Sequence, residues 1–311
     1  MIDSGSEKYK IFDYLLEGCQ VIDFDMKYVY LNDAAVRHSK YDKAYLLGKS
    51  MFEVYQGIEK TEMYSKLIMC MNYGMSFRLT NAFEYPDKST GWFELVMQKI
   101  PEGVLILSND ISERILGEKA LMDAYDRTIE SWSRALEFRD NETEGHTLRV
   151  TEMAMAFAKS LSPKGMDYKF FKYGCLMHDI GKIGVPDEIL KKNRPLSDDE
   201  WVIMKKHPEI ARALMKPIEF LDKASEIPYY HHEWVNGAGY PNGVKGDEIP
   251  LSSRIFSIID VYDALTSDRP YREAWTHEVA MAYIIDLSDK QFDSKLVNAF
   301  VTFIEQYRKG L

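Results

Sequence analysis

The rhythm of apolar and polar positions changes near residue 112. Before it, β-branched and aromatic runs recur at Val21–Phe24, Tyr28–Leu31, Phe77–Glu84, Trp92–Ile100 and Val104–Ser108. Such runs between turn residues mark short strands. Asp25-Met26-Lys27 joins the first two as a hairpin, and Pro86–Gly91 and Pro101-Glu102-Gly103 separate the last three. Asn32 ahead of Asp33-Ala34-Ala35 reads as a cap and helix start. Two strands, short helices and three antiparallel strands predict an α+β module of about 100 residues.

The pattern then turns helical. Ile111, Ile115, Glu118, Met122, Tyr125, Ile129, Trp132 and Leu136 fall at alternating spacings of four and three, a heptad seam with one polar intruder. It fits an amphipathic helix packed on its own domain, or a parallel coiled coil joining two protomers. From about Ala135 onward, Leu148–Leu161, Asp198–Met215, Arg254–Leu265 and Glu278–Leu287 show spaced apolar faces. The second half is therefore expected to be all-α. The expected division is an α+β domain over 1–112, a helical linker over 113–136 and an all-α domain over 137–311.

Composition narrows the partners. The 311 residues carry 39 Lys and Arg against 49 Asp and Glu, a net charge of −10. Neither a nucleic-acid polymer nor an anionic membrane surface is expected to bind so acidic a chain. An anionic ligand needs positive charge gathered locally, by a metal or a few arginines. The three cysteines, Cys19, Cys70 and Cys175, are widely spaced and form no C-x-x-C pair. Neither a disulfide framework nor a Cys-rich zinc site is expected. Met1–Glu7 has no basic flank or apolar core, and no apolar run approaches the ~20 residues of a membrane helix. A cytoplasmic location is the expectation.

Five of the seven histidines fall on motif-like positions in the helical half, with interleaved acids. Glu142 and His146 are four apart and share a helical face. His178 and Asp179 are adjacent, so on a helix both meet an ion only if it sits between their directions. His207 precedes Pro208, His231 and His232 form a doublet before Glu233, and Asp260 lies within a helical apolar pattern. Each element alone is ordinary. Together they match the way multinuclear metal sites are assembled from inward-facing side chains of several helices. Imidazole mixed with carboxylate suits Fe²⁺ or Mn²⁺.

Two resemblances follow from these residues. The first third resembles a PAS sensor domain, through Tyr28–Asn32 and the helix after it, Gly48-Lys49-Ser50, Gly91-Trp92-Phe93-Glu94, Gly103–Ile106 and the exit Asp110–Arg114. Its ligand is not assigned; a lone His38 or Cys70 reads as structural. Residues 135–285 resemble an HD-GYP domain, a subfamily of HD hydrolases. The carrying motifs are Arg139-Asp140, Gly145-His146, Arg149-Val150, His178–Pro186, Lys206-His207-Pro208, His231-His232-Glu233, Gly237–Pro241, Ile249-Pro250-Leu251 with Arg254-Ile255, Asp260–Ala264 and Thr266–Arg272. Val235 and Asn236 stand where the family commonly has Trp and Asp, and Arg272 stands where it has a lysine.

The second resemblance implies an all-α HD-type helical bundle that hydrolyses cyclic di-GMP to pGpG and GMP by a metal-bridged hydroxide. The implied metal ligands are Glu142, His146, His178, Asp179, His207, His231, His232 and Asp260, holding two or three divalent ions. Asp179 is the implied bridging carboxylate, and Glu142 serves a third ion. Lys182 would reach the scissile phosphate, Tyr240 a phosphate or guanine, and Arg269 and Arg272 the phosphates. Hydrolysis of cyclic GMP-AMP, or a catalytically weak HD-GYP module that binds a ligand or partner, are the alternatives. The PAS resemblance favours a homodimer through the first domain and the linker.

Overall fold

The computed structural model describes residues 8–85, 87–140, 145–268 and 272–310. The chain divides into two compact units, Met1–Asp123 and Ala124–Leu311.

In the first unit the strands are β1 (Gly18–Asp23), β2 (Tyr28–Leu31), β3 (Phe77–Glu84), β4 (Thr90–Ile100) and β5 (Gly103–Asp110). They form one antiparallel sheet in the order β2-β1-β5-β4-β3. Between β2 and β3 run α1 (Asp33–Ser39), α2 (Lys43–Leu46), α3 (Met51–Val54) and α4 (Glu62–Tyr73). This is the expected PAS-like α+β arrangement. Ile22, Leu31, Leu46, Leu67, Met97 and Ile106 fill its core, each nearly sealed from solvent. Asn32 starts α1 as the sequence predicts: its Oδ1 accepts from the Ala35 and Cys19 amides, and its side-chain amide donates to the Phe12 and Glu17 carbonyls. A buried Asn with every group satisfied fixes where the sheet ends and the helix begins.

The helix α5 (Ser112–Asp140) begins in the first unit and ends in the second. Along its heptad seam Ile129 is buried and Tyr125 stacks on Phe220 at 4.6 Å, both within the second unit. Glu118 is exposed, as are Met122 and Trp132.

The second unit is helical, as expected: α6 (His146–Leu161), α7 (Tyr168–Leu176), α8 (Asp187–Leu190), α9 (Asp198–Met204), α10 (His207–Met215), α11 (Glu219–Asp222), α12 (Glu226–Tyr230), α13 (Leu251–Thr266), α14 (His277–Asp286) and α15 (Ser294–Tyr307). One core packs Phe157, Phe256, Phe292 and Phe300 among α6, α13, α14 and α15. A second, smaller core joins Ile129, Tyr173, Leu176, Met177, Ala211 and Leu221. The apolar stretch Asp198–Met215, expected to be a single helical face, is two helices broken at Lys205-Lys206. Pro208, in the first turn of α10, cannot donate to a preceding turn, so the helix restarts there. Among the described residues no helix is long and apolar enough to cross a membrane.

Candidate metal centre

The HD pair is not helical. The helix α7 stops at Leu176, and His178 and Asp179 lie in the turn leading to a 3-10 segment, Ile180–Gly184. The tighter turn changes their relative direction and lets both side chains face the same space. Gly181 makes this possible: a Cβ there would lie 1.8 Å from the His207 carbonyl oxygen. Only glycine lets the 3-10 segment approach the start of α10 so closely.

Five elements then converge. His146 opens α6, His207 opens α10, His231 and His232 follow α12, and Asp260 comes from α13. Ligand atoms of Asp179, His207, His231 and His232 lie within 4.8 Å of one another, and so do those of His146, His178 and Asp260. His178 Nε2 is 3.0 Å from Asp179 Oδ2, while His207 Nε2 and His231 Nε2 are 3.5 and 3.8 Å from Asp179 Oδ1. Asp179 thus stands between the two groups, one oxygen toward each. Of the sequence-named ligands, Glu142 lies outside the described residues, as does Arg269 among the named phosphate binders.

The far side of each ring is already fixed. Nδ1 of His178 donates to the Cys175 carbonyl at 2.9 Å and Nδ1 of His207 to the Met204 carbonyl at 2.9 Å. His231 Nδ1 reaches the Ile227 and Pro228 carbonyls, both at 3.1 Å. His146 Nδ1 donates to Asp263 Oδ2 at 2.7 Å. A proton held on Nδ1 leaves Nε2 as a lone pair, the tautomer a metal needs. Nε2 of His178, His207 and His231 and Oδ1 of Asp179 are buried with no hydrogen-bond partner. Buried polar atoms are rarely left so. Four convergent orphan acceptors fit a divalent cation, and the residues present therefore fit the implied metal group.

Electrostatics agree with that donor set. Burial drives His232 and His207 below the ordinary imidazole range and His231 down to about 4, so these rings are neutral. Burial opposes the charge of Asp179, but Lys182 first and then His178 outweigh it and hold the carboxyl well below its usual range. Burial opposes the charge of Asp260 too, but His146, His178 and His231 together outweigh it and hold the carboxyl low. At His178, burial opposes protonation, and Asp179 reverses the balance upward.

The other named residues surround this centre. Lys182 Nζ lies 2.8 Å from Asp179 Oδ2. The Tyr240 ring stacks on His232 at 4.7 Å, and its amide donates to the His232 carbonyl. Gly239 lets that loop close, since a Cβ there would sit 2.3 Å from the Trp234 nitrogen. Glu233 Oε1 accepts from the Asn242 and Gly243 amides and ties the loop's far end. Arg272 is placed at the end of α13, its guanidinium on the Ala264 and Leu265 carbonyls and 5.1 Å from the Trp275 ring. It closes a helix terminus there.

Sequence reasoning assigned no role to Asp263, Asp140 or Arg139. Asp263 orients His146 and also accepts from Arg149 at 3.3 Å. Its signal is the i, i+3 spacing from Asp260, which puts both acids on one face of α13. Arg139 donates to the Lys182, Ile183 and Val185 carbonyls, and Asp140 accepts from Lys182. No spacing rule links these pairs, because the partners lie on different elements.

An HD domain model matches residues 130–296, more than half of the chain. The chain belongs to the HD domain family. The chain is 34% identical over 210 residues to a protein of Xanthomonas campestris, the cyclic di-GMP phosphodiesterase response regulator RpfG, covering 67% of this chain and 56% of that one. It is 34% identical over 177 residues to a 3'3'-cGAMP-specific phosphodiesterase of Vibrio cholerae, covering 56% and 34%. The chain spans about half the length, or less, of the curated relatives it matches. A PAS domain structure from Colwellia psychrerythraea is 20% identical, covering 35% of this chain and 97% of that one, with a TM-score of 0.30.

Proposed function

We propose that the HD domain is a metal-dependent phosphodiesterase that opens cyclic di-GMP to linear pGpG and cleaves that to GMP. The observation carrying this reading is the Asp179 carboxylate, with one oxygen toward each of two ligand groups and its neighbouring imidazoles fixed with Nε2 inward. His146, His178 and Asp260 would hold one ion and His207, His231 and His232 another, with Asp179 between; Glu142 would serve a third. Iron or manganese suits the mixed imidazole and carboxylate set. Divalent ions bound there supply a water of lowered pKa and neutralise phosphoryl charge.

This chain's own residues do the rest. Lys182 places an ammonium beside Asp179, where it meets the scissile phosphate and can give a proton to the departing 3'-oxygen. As the water oxygen bonds to phosphorus and gives up its proton to solvent, the bond from phosphorus to the departing 3'-oxygen breaks, and that oxygen takes the proton from Lys182. Tyr240, set by its stacking on His232, offers a ring face to a guanine or its hydroxyl to a phosphate. Burial raises the Tyr240 phenol well above its usual range, so it stays a donor. Arg269 and Arg272 are proposed for the phosphates; for Arg272 this requires release from the end of α13.

The PAS-like unit is proposed to regulate the reaction through α5, in a cytoplasmic homodimer joined along that helix. A second substrate reading, cyclic GMP-AMP, is favoured by the cGAMP-specific names of three relatives. One experiment separates the readings. Protein purified without oxygen is analysed for metals, then incubated with each dinucleotide and its products chromatographed. Cyclic di-GMP is expected to yield pGpG and GMP faster than the mixed dinucleotide is consumed. Protein with no transition metal and no turnover would support a binding module instead.

A further inference from the structure

The break between α9 and α10 carries a cation with no part in the chemistry above. Lys205 and Lys206 stand between Met204, where α9 ends, and His207, where α10 begins. His207 Nδ1 donates to the Met204 carbonyl at 2.9 Å, so the backbone just before Lys205 is tied to a ring of the metal centre. The Lys205 ammonium stands 5.4 Å over the Tyr240 ring. That ring stacks on His232 at 4.7 Å and meets His207 edge-on at 6.3 Å. Lys205 is therefore one aromatic ring away from two imidazoles of the centre.

A lysine at the end of a short helix is ordinarily explained by the helix dipole, and Lys205 is exposed. The dipole does not account for its surroundings. The chain has a net charge of −10, yet among the described residues the Lys205 ammonium has no ion pair and no hydrogen bond. Glu209, four positions on, is not its partner. Lys182 and Lys192, by contrast, are each held by carboxylates. What Lys205 touches instead is a ring face, which attracts the charge and leaves most of the N–H donors open.

A cyclic dinucleotide closes two phosphodiesters into one small ring. Bound metal and Lys182 serve the one being cleaved, and the other still needs a counter-charge. Arg272 is engaged with the Ala264 and Leu265 carbonyls. Given the reading that the HD domain takes such a substrate, we propose that Lys205 binds the phosphate that is not being cleaved, with the Tyr240 ring holding its ammonium ready. An ammonium is a compact charge that meets a phosphate from any direction, without the planar fork of a guanidinium. The contact with Tyr240 has already spent part of the side chain's freedom, so less is lost when the ligand binds. The site then selects a dinucleotide over a diester with one phosphate.

Calorimetry on the metal-loaded full chain tests this, with the bis-phosphorothioate analogue of cyclic di-GMP as a slowly cleaved probe. Lys205→Gln should weaken the probe about tenfold, the scale of a lost charged hydrogen bond. Its affinity should also fall less steeply with salt than that of the wild type. Lys205→Arg should keep most of the affinity. Lys206→Gln removes the same charge one position on and should change affinity by less than about twofold, as a screened surface charge does. In turnover, Lys205→Gln should lose several times more kcat/KM on cyclic di-GMP than on bis(p-nitrophenyl) phosphate, a diester with a single phosphate. Undiminished affinity in Lys205→Gln, an equal loss in Lys206→Gln, or equal losses on the two substrates would overturn the proposal. Wild-type protein that binds the probe but cleaves no cyclic di-GMP would end the hydrolase reading while the affinities still judged Lys205. Wild-type protein that does not bind the probe would end both.

Discussion

Asp140 and Lys182, 42 positions apart in the chain, face each other at 2.5 Å. The same ammonium lies 2.8 Å from Asp179. Two carboxylates from different elements therefore hold one lysine between the end of α5 and the metal cluster. This geometry makes Asp140 a positioning residue for Lys182. Asp140→Asn keeps the shape and removes the charge, and it should lower turnover about tenfold or more, since a mispositioned proton donor forfeits much of its ~10²–10⁴-fold contribution. Metal content should not change. A kcat loss without metal loss, measured side by side, checks it.

Asp179 stands between both ligand groups, so its removal affects both. Asp179→Ala and His178→Ala should abolish hydrolysis and reduce bound metal while the helical circular dichroism spectrum is kept. Elemental analysis and product chromatography on the same samples decide it. Substantial activity in a folded Asp179→Ala protein would sink the metal assignment.

Asp263 acts one shell further out, through the Nδ1 proton of His146. Outer partners of ligating histidines typically contribute about 10–100-fold in metal affinity. Asp263→Asn should weaken metal retention by that order in a chelator competition. Circular dichroism should be unaltered, since α13 is held by its apolar face.

Gly181 sits where two backbones nearly touch. Gly181→Ala forces the 3-10 segment away from His207, an overpacking that costs about 1–3 kcal/mol or more. A lowered thermal midpoint together with lost metal is the expected outcome. An unchanged midpoint would show that the close approach is relaxed in solution.

The helix α5 carries the seam into the unit that ends it with Glu137, Arg139 and Asp140. Glu137 accepts from the Thr147 amide beside His146, and Arg139 and Asp140 hold the Lys182 turn. Insertion of four residues after Glu118 should change turnover, and insertion of seven should largely restore it, because seven residues return the seam to its register. Light scattering showing a monomer, or equal activity of both insertions, would decide for a helix packed within one chain.

The sequence by itself determined the elements and the chemistry. β-branched and aromatic runs between turns set the β-strands, Asn32 set the start of α1, and five histidines with their acids marked a metal site before any geometry was known. These signals are local, because side-chain periodicity and capping act within a few residues. Tertiary structure decided which groups meet. It placed His178 and Asp179 in a turn and not on a helix, where Gly181 packs against the start of α10. It broke Asp198–Met215 ahead of His207, and it set Arg272 on the carbonyls of α13. It also chose Asp263, Asp140 and Arg139 as the residues that orient the site. The contacts of Asp263, Asp140 and Arg139 join segments 42 to 117 positions apart. No period along a chain reports such distances; they follow from packing of whole helices, whose buried faces fix where every other side chain must lie.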